Sequence, residues 1–403
     1  MMRSRDFQRR LLLLLLVMTA AFFGQGSAAA MQAATNGDSL RASAAVYSTI
    51  APGDIEAHIA EIQGLRSALA SETQRAKLNE VAEYVHGTLA GYGLTVIENP
   101  VTYSGQTFPN IVGRIQGTTC PEKTFIVSAH YDGVSGSPAA DDDASGVAAV
   151  LEIARVLSAQ PLQAAVEFVA FSFEEQGMVG STQMATAAQS SGRELLGMIN
   201  FDMIAYTCDV PGCQEYPEGI PPPRPTGDFI AAIANTASRS LLDSFASASA
   251  SAAPDLVAFP LEVPGNGETL PDVRRADHAP FWDRGYQALF VTDTANLRNP
   301  YYHQAGDTLE TLNLDFAADV ANASAATVVA MLTADANGDG RADVCGAEPV
   351  GGSAVSPQPE APSESVSDEP SQSNVPMIAA LSLAGIAMVA LAGGWYAMRR
   401  RSR

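Results

Sequence analysis

The chain has 403 residues, 47% of them hydrophobic and 17% charged, which supplies a sizeable core and excludes a disordered polymer. Its formal charge is -21, from 23 basic and 44 acidic residues. Phosphate binding needs a basic footprint, so nucleic acid is excluded as a partner, and the acidity reads as a soluble surface outside the cell.

Residues 1–30 have the build of a signal peptide. Arg3, Arg5, Arg9 and Arg10 precede an apolar run at 11–23, and small residues surround Ala28 to Ala30. The run is short for a membrane span, so cleavage is expected over an uncleaved anchor. Residues 31–76 read as an N-terminal arm, whose polar, Ala-rich part to about residue 65 is an arm or a first helix.

From 71 to 92 the spacing of Leu78, Val81, Val85 and Leu89 predicts an amphipathic helix, ended by Gly91 and Gly93. Strand-like runs follow at 94–97, 110–115 and 125–129. A helix at 144–157, a buried strand at 166–172, a helix near 179–188 and a strand at 198–203 come next. A helix around 229–236, a strand near 288–291 and a last helix at 316–332 complete the series. This alternation predicts an α/β fold with a mainly parallel sheet.

In residues 335–346, Asp335, Asn337, Asp339 and Asp343 alternate with Gly340 in the manner of an EF-type calcium loop. The closing Glu is replaced by Gly346, so calcium and a flexible acidic turn both stay open. Residues 347–375, rich in Ser, Pro and Glu, are expected to be a stalk. Residues 376–398 are apolar and uncharged, with Trp395 and Tyr396 near one end, and residues 399–403 are a basic tail. That order predicts a transmembrane helix with the body outside and the tail in the cytoplasm. The protein is thus expected at the cell surface, or secreted after processing. Export suits disulfides among the four cysteines. Cys208 and Cys213 are close enough to close a small loop, leaving Cys120 and Cys345, although four cysteines allow three connectivities.

Five acidic or histidine motifs each follow a strand signal. In Ser-Ala-His-Tyr-Asp, 128–132, residues i and i+2 point the same way, so Asp132 can accept a hydrogen bond from the far ring nitrogen of His130. Alone, that pair reads first as a structural histidine. Ala-Asp-Asp-Asp-Ala-Ser-Gly, 140–146, holds more carboxylates than a helix cap needs, which suggests one that bridges two metals. Ser-Phe-Glu-Glu-Gln-Gly, 172–177, places two acids at the end of a buried strand, where one can ligate while its neighbour carries a proton. Asp202, in Asn-Phe-Asp-Met, and His303, in Tyr-Tyr-His-Gln-Ala-Gly-Asp-Thr-Leu, complete the set. In open α/β sheets, sites gather at the carboxyl ends of strands, where all five fall.

Together these motifs resemble the di-zinc aminopeptidases of the bacterial leucyl aminopeptidase and aminopeptidase Y type. Their superfamily also holds glutamate carboxypeptidases and glutaminyl cyclases. The similarity covers about residues 77–334. It implies a three-layer αβα fold around a mixed, mainly parallel sheet, and peptide or protein substrates. It implies two zinc ions, one on His130 and Asp202 and one on Glu175 and His303, bridged by Asp142. Glu174 would be the general base, Asp132 the partner of His130, and Tyr302 a donor to the oxyanion. A cis peptide is implied between Asp142 and Asp143. Arg-Ala-Asp-His, 275–278, departs from the family's Ser-Asp-His, and Asp277 and His278 are expected to support the site without binding metal. Rival readings are a glutaminyl cyclase-like enzyme with one zinc, a carboxypeptidase, and a non-catalytic binding protein.

Overall fold

The computed structural model describes residues 50–218, 220 and 222–346. The expected signal peptide, stalk, transmembrane helix and basic tail lie outside the described residues, as do residues 31–49 of the expected arm.

Eight strands form one sheet in the order β1-β2-β4-β3-β5-β8-β6-β7. They are β1 (Thr95–Tyr103), β2 (Gln106–Ile115), β3 (Cys120–His130), β4 (Ala164–Phe171), β5 (Leu195–Phe201), β6 (Ile230–Asn235), β7 (Ala258–Val263) and β8 (Leu289–Thr292). The centre, β4-β3-β5-β8, is parallel. A β1-β2 hairpin joins β4 antiparallel, and β6 joins β8 antiparallel with β7 parallel beyond it. All eight residues of β4 are buried, as a strand covered on both faces requires.

Alternate side chains of that strand enter two separate cores. Val166, Phe168 and Ala170 pack with α1 (Pro52–Ile62), α2 (Glu72–Gly91), α3 (Gly146–Ser158), α5 (Arg239–Ala252) and α6 (Leu314–Thr333). Val169 and Phe171 pack with α4 (Val179–Ser191), through Met184 and Ala185, and with Phe281, Trp282 and Phe290. The expected three-layer α/β architecture with a mixed, mainly parallel sheet is therefore present.

The folded body begins upstream of residue 77. In α1, Ile55, Ile59 and Ile62 are fully buried on one helical face, and Pro52 opens the helix. Helix α2 starts on Ser71, whose side chain accepts the Gln74 N–H, and buries Leu78, Val81, Val85 and Leu89 as predicted.

The stretch near 229–236 is a strand, β6, and not the expected helix. Its Ile-Ala-Ala-Ile-Ala-Asn core is buried at every position, so no alternation betrays a strand, and alanine biases the local reading towards a helix. Pairing with β7 and β8 overrides that bias. The helix of this region lies later, at α5, where Leu241, Leu242 and Phe245 are buried beneath a Ser/Ala-rich sequence. Among the described residues, α6 is long and apolar enough to cross a membrane, and its apolar residues are largely buried in the body.

Both disulfides form: Cys208 with Cys213, and Cys120 with Cys345 across 225 residues of sequence. The long one ties the start of β3 to the segment after α6. Because loop closure removes more denatured-state freedom for longer loops, replacing Cys120 and Cys345 by Ser should lower the unfolding free energy by about 2–5 kcal/mol. The Cys208/Cys213 pair should cost less. Urea melts of the two double variants decide it, and a larger loss from the short loop would overturn the loop-length account.

Candidate metal centre

The five motifs converge at the carboxyl ends of β3, β4, β5 and β8. His130 is the last residue of β3 and is buried. Its Nε2 lies 3.2 Å from Asp142 Oδ1. The other Asp142 oxygen lies 3.0 Å from His303 Nε2, which is 3.5 Å from Glu175 Oε2. Two groups of ligand atoms result, His130 with Asp142 and Asp202, and Asp142 with Glu175 and His303, each within 4.8 Å. Asp142 belongs to both.

The three adjacent acids have three different tasks. Only Asp142 faces the imidazoles. Asp143 turns back, and its oxygens accept the backbone N–H of His130 (3.2 Å), Met203 (3.1 Å) and Gly146 (3.0 Å). A Cβ on Gly146 would lie 2.3 Å from Asp143 Oδ1, so this reach requires glycine. Asp141 accepts the Ala205 N–H at 3.0 Å and the Asn299 side-chain amide at 2.9 Å. The Asp142–Asp143 peptide is cis, as the resemblance implied. Asp307, four residues after His303, receives the N–H groups of Asp141 (2.8 Å) and Asp142 (3.2 Å). It stood inside a recognised motif, but only its contacts reveal its task.

Asp132 does more than its expected role. Its carboxylate is 3.7 Å from His130 Nδ1, while its backbone carbonyl is nearer, at 3.2 Å. The carboxylate also accepts the N–H of Glu174 at 3.1 Å and of Glu175 at 3.4 Å. Asp132 thus anchors the turn that carries both glutamates as well as flanking the imidazole. Phe173, before that turn, has φ 57°, a costly conformation for a bulky residue. Its ring packs 5.6 Å from that of Phe108.

The donors suit a zinc ion. His130 Nε2 and Glu175 Oε1 are buried without a hydrogen-bond partner, and every converging atom is an imidazole nitrogen or carboxylate oxygen. Burial pushes the Glu174 and Glu175 carboxyls well above the usual range. Burial, with Asp142 and Asp277 nearby, raises Asp202 to about 8. Asp142 goes the other way: burial raises it, but His130 and His303 together bring it below the carboxylate range. A divalent cation would reverse the repulsion among the raised groups.

Tyr302 stacks on His303 at 3.7 Å between ring centroids, and its hydroxyl oxygen accepts a 2.7 Å hydrogen bond from Arg275 Nη2. Asp277 is buried with both carboxylate oxygens unpartnered, and burial raises it to about 7. It lies near enough to Glu174 and Asp202 to raise both. His278 is different. It stacks on Phe290 at 4.5 Å, and its Nε2 meets Val273 O at 2.8 Å, so it secures the 271–274 turn from within the second core. The 335–343 loop closes on itself. Asp335 accepts the N–H groups of Gly338, Asp339 and Gly340, and Asp343 accepts that of Ala336. It is not among the gathered metal-type groups of the described residues.

Residues 110–328 match the profile of peptidase family M28. The chain is 34% identical over 257 residues to YfbL, an uncharacterized protein of Escherichia coli K12, covering 60% of this chain and 77% of that one. It is 28% identical over 300 residues to a probable zinc metalloprotease of Pyrenophora tritici-repentis, covering 66% of this chain but 58% of the fungal protein. Its fold resembles that of the LapA aminopeptidase of Legionella pneumophila, with a TM-score of 0.57 at 21% identity, over 72% of this chain and 73% of that one. An α/β sheet with carboxylates and imidazoles gathered at its strand ends is the build of a metallopeptidase. The chain belongs to peptidase family M28.

Burial holds the His278 imidazole down at about 3, against 6.5 when exposed. Between those values the unfolded chain binds a proton that the folded chain does not. Stability from this residue is therefore complete above pH 6.5 and is lost as the pH falls, by up to about 1.4 kcal/mol per unit. His278→Phe should flatten the acid limb of stability against pH by up to one proton, read from urea midpoints between pH 6.5 and 4. An unchanged slope would contradict a neutral, buried His278.

Proposed function

We propose that this protein is an aminopeptidase with two zinc ions, one on His130 and Asp202, one on Glu175 and His303, with Asp142 bridging. The observation that carries this reading is Asp142, whose two oxygens each face a different imidazole at 3.2 and 3.0 Å. Zinc bound there supplies a Lewis acid for the scissile carbonyl and lowers the pKa of the attacking water.

The chain's own residues do the rest. Glu174 is buried, belongs to neither ligand group, and lies 4.0 Å from His130 Nε2. Its raised affinity for protons suits a base that takes one from water and passes it to the leaving amine. Asp132 keeps Glu174 in place through its backbone. Because Arg275 donates to the Tyr302 oxygen, the phenol proton is free for the carbonyl oxygen as charge develops on it.

Beside Asp202 and Tyr302 opens a small cavity of about 90 Å³, lined by Tyr216, Phe229, Phe259, Leu261 and Phe290 among others. Such walls favour an apolar side chain at the residue to be removed. The two disulfides, with the signal-like and apolar terminal segments, support an enzyme exported and held at the outer face of a membrane.

Glu174→Gln should reduce turnover by about 10²–10⁴-fold while leaving zinc content unchanged by elemental analysis. Retained hydrolysis would remove Glu174 as base. The same analysis on the parent chain separates two zinc ions from the single ion of a cyclase-like enzyme. On a panel of aminoacyl and C-terminal peptide substrates, N-terminal Leu and Phe derivatives should be cleaved at least about tenfold better than Glu or Lys ones, given what one apolar contact is worth in a pocket. Chelator should abolish the activity. Release of C-terminal residues, or activity indifferent to chelator, would overturn the assignment.

A further inference from the structure

Arg66 lies between α1 and α2, outside every motif of the site, and is fully buried. Its Nε donates to Tyr131 O at 2.9 Å, Nη1 to Pro138 O at 2.8 Å and to Gly64 O at 3.4 Å, and Nη2 to Ala139 O at 2.8 Å. Every acceptor is a backbone carbonyl. Tyr131, Pro138 and Ala139 belong to the connection that leaves His130 and returns to Asp142. The guanidinium grips that connection one residue after the first of these side chains and three residues before the second.

The connection needs such a grip. Ala139 is held at φ 57°, outside the range alanine prefers, and Gly64 N–H adds a second donor to Pro138 O at 2.7 Å. Beyond it, Asp307 takes over by receiving the N–H groups of Asp141 and Asp142. Three carbonyls converging from one chain reversal suit a planar fork of five donors, which lysine cannot reproduce.

We propose that Arg66 is a positioning residue for the metal centre: it clamps the 131–139 connection and so sets the separation of His130 and Asp142. The inference rests on the reading of those two residues as zinc ligands. Zinc coordination tolerates errors of only about 0.2 Å, and loss of outer partners typically costs about 10–100-fold in affinity.

The sign of the effect separates this role from simple electrostatics. Arg66 carries positive charge near Asp142, Asp307, Asp132 and Asp143. If charge were all that mattered, removing it would strengthen cation binding. If Arg66 positions the ligands, removing it weakens binding.

The test uses the full chain with Arg66→Met and Arg66→Lys. Zinc affinity is read by competition with a chromophoric chelator, and ligand geometry by the visible spectrum of the cobalt-substituted protein. Arg66→Met should bind zinc about 10–100-fold more weakly with a changed cobalt spectrum, and Arg66→Lys should fall between it and the parent. Equal or tighter binding by Arg66→Met, with an unaltered spectrum, would overturn the proposal. Should Arg66→Met fail to fold, Arg66→Lys decides: weaker binding supports the clamp and parental binding refutes it. A parent chain that takes up no zinc would sink the metal-centre reading itself, before Arg66 is at issue.

Discussion

Buried aspartates that accept backbone N–H groups hold the site together. Each turn that carries one of the gathered acidic or imidazole side chains contains a non-glycine residue in the left-handed region: Ala139, Phe173, Met203 and His303, with φ between 57° and 59°. Each such bend costs on the order of 1–3 kcal/mol and persists only where neighbours over-determine it. Asp143 reaches the N–H of Met203 and of His130, Asp132 those of Glu174 and Glu175, and Asp307 those of Asp141 and Asp142. These carboxylates link turns that are far apart in sequence, so moving one turn strains the others.

This arrangement concentrates negative charge where water is excluded. Burial raises Glu174, Glu175 and Asp202, and a buried carboxylate without compensation is costly. Two kinds of compensation divide the acids. Those satisfied by backbone N–H groups shape the site. Those facing imidazoles, or buried with unpartnered oxygens, are the ones a cation or a proton would compensate. The division explains why three consecutive aspartates, identical in chemistry, do different work.

Much of this was legible in the sequence. Strands ending in His130, and just before Glu174 and Asp202, announced themselves through apolar runs followed abruptly by charge. The αβ alternation up to residue 203 followed from helical spacing and from short apolar runs such as residues 166–171. Beyond it, β6 read as a helix because burial on both faces erases the alternation that marks a strand, and α5 was masked by serine and alanine. The tasks of Asp141, Asp143 and Asp307 were not legible, because an acid that accepts an N–H and an acid that faces an imidazole look alike in a string of letters. Arg66 carried no signal at all, since three of its four carbonyl partners belong to residues more than sixty positions away.

The sequence by itself determined which residue types reach the ends of the central strands, because strand period and charge placement are local properties. It also determined, through a match of five separate motifs, the family to which they belong. Only the tertiary structure decided what Asp141, Asp143 and Asp307 hold, that Asp132 anchors the glutamate turn, and that His278 belongs to the core. Those outcomes depend on hydrogen bonds between segments distant in the chain, and their geometry exists only once the sheet has brought the strand ends together.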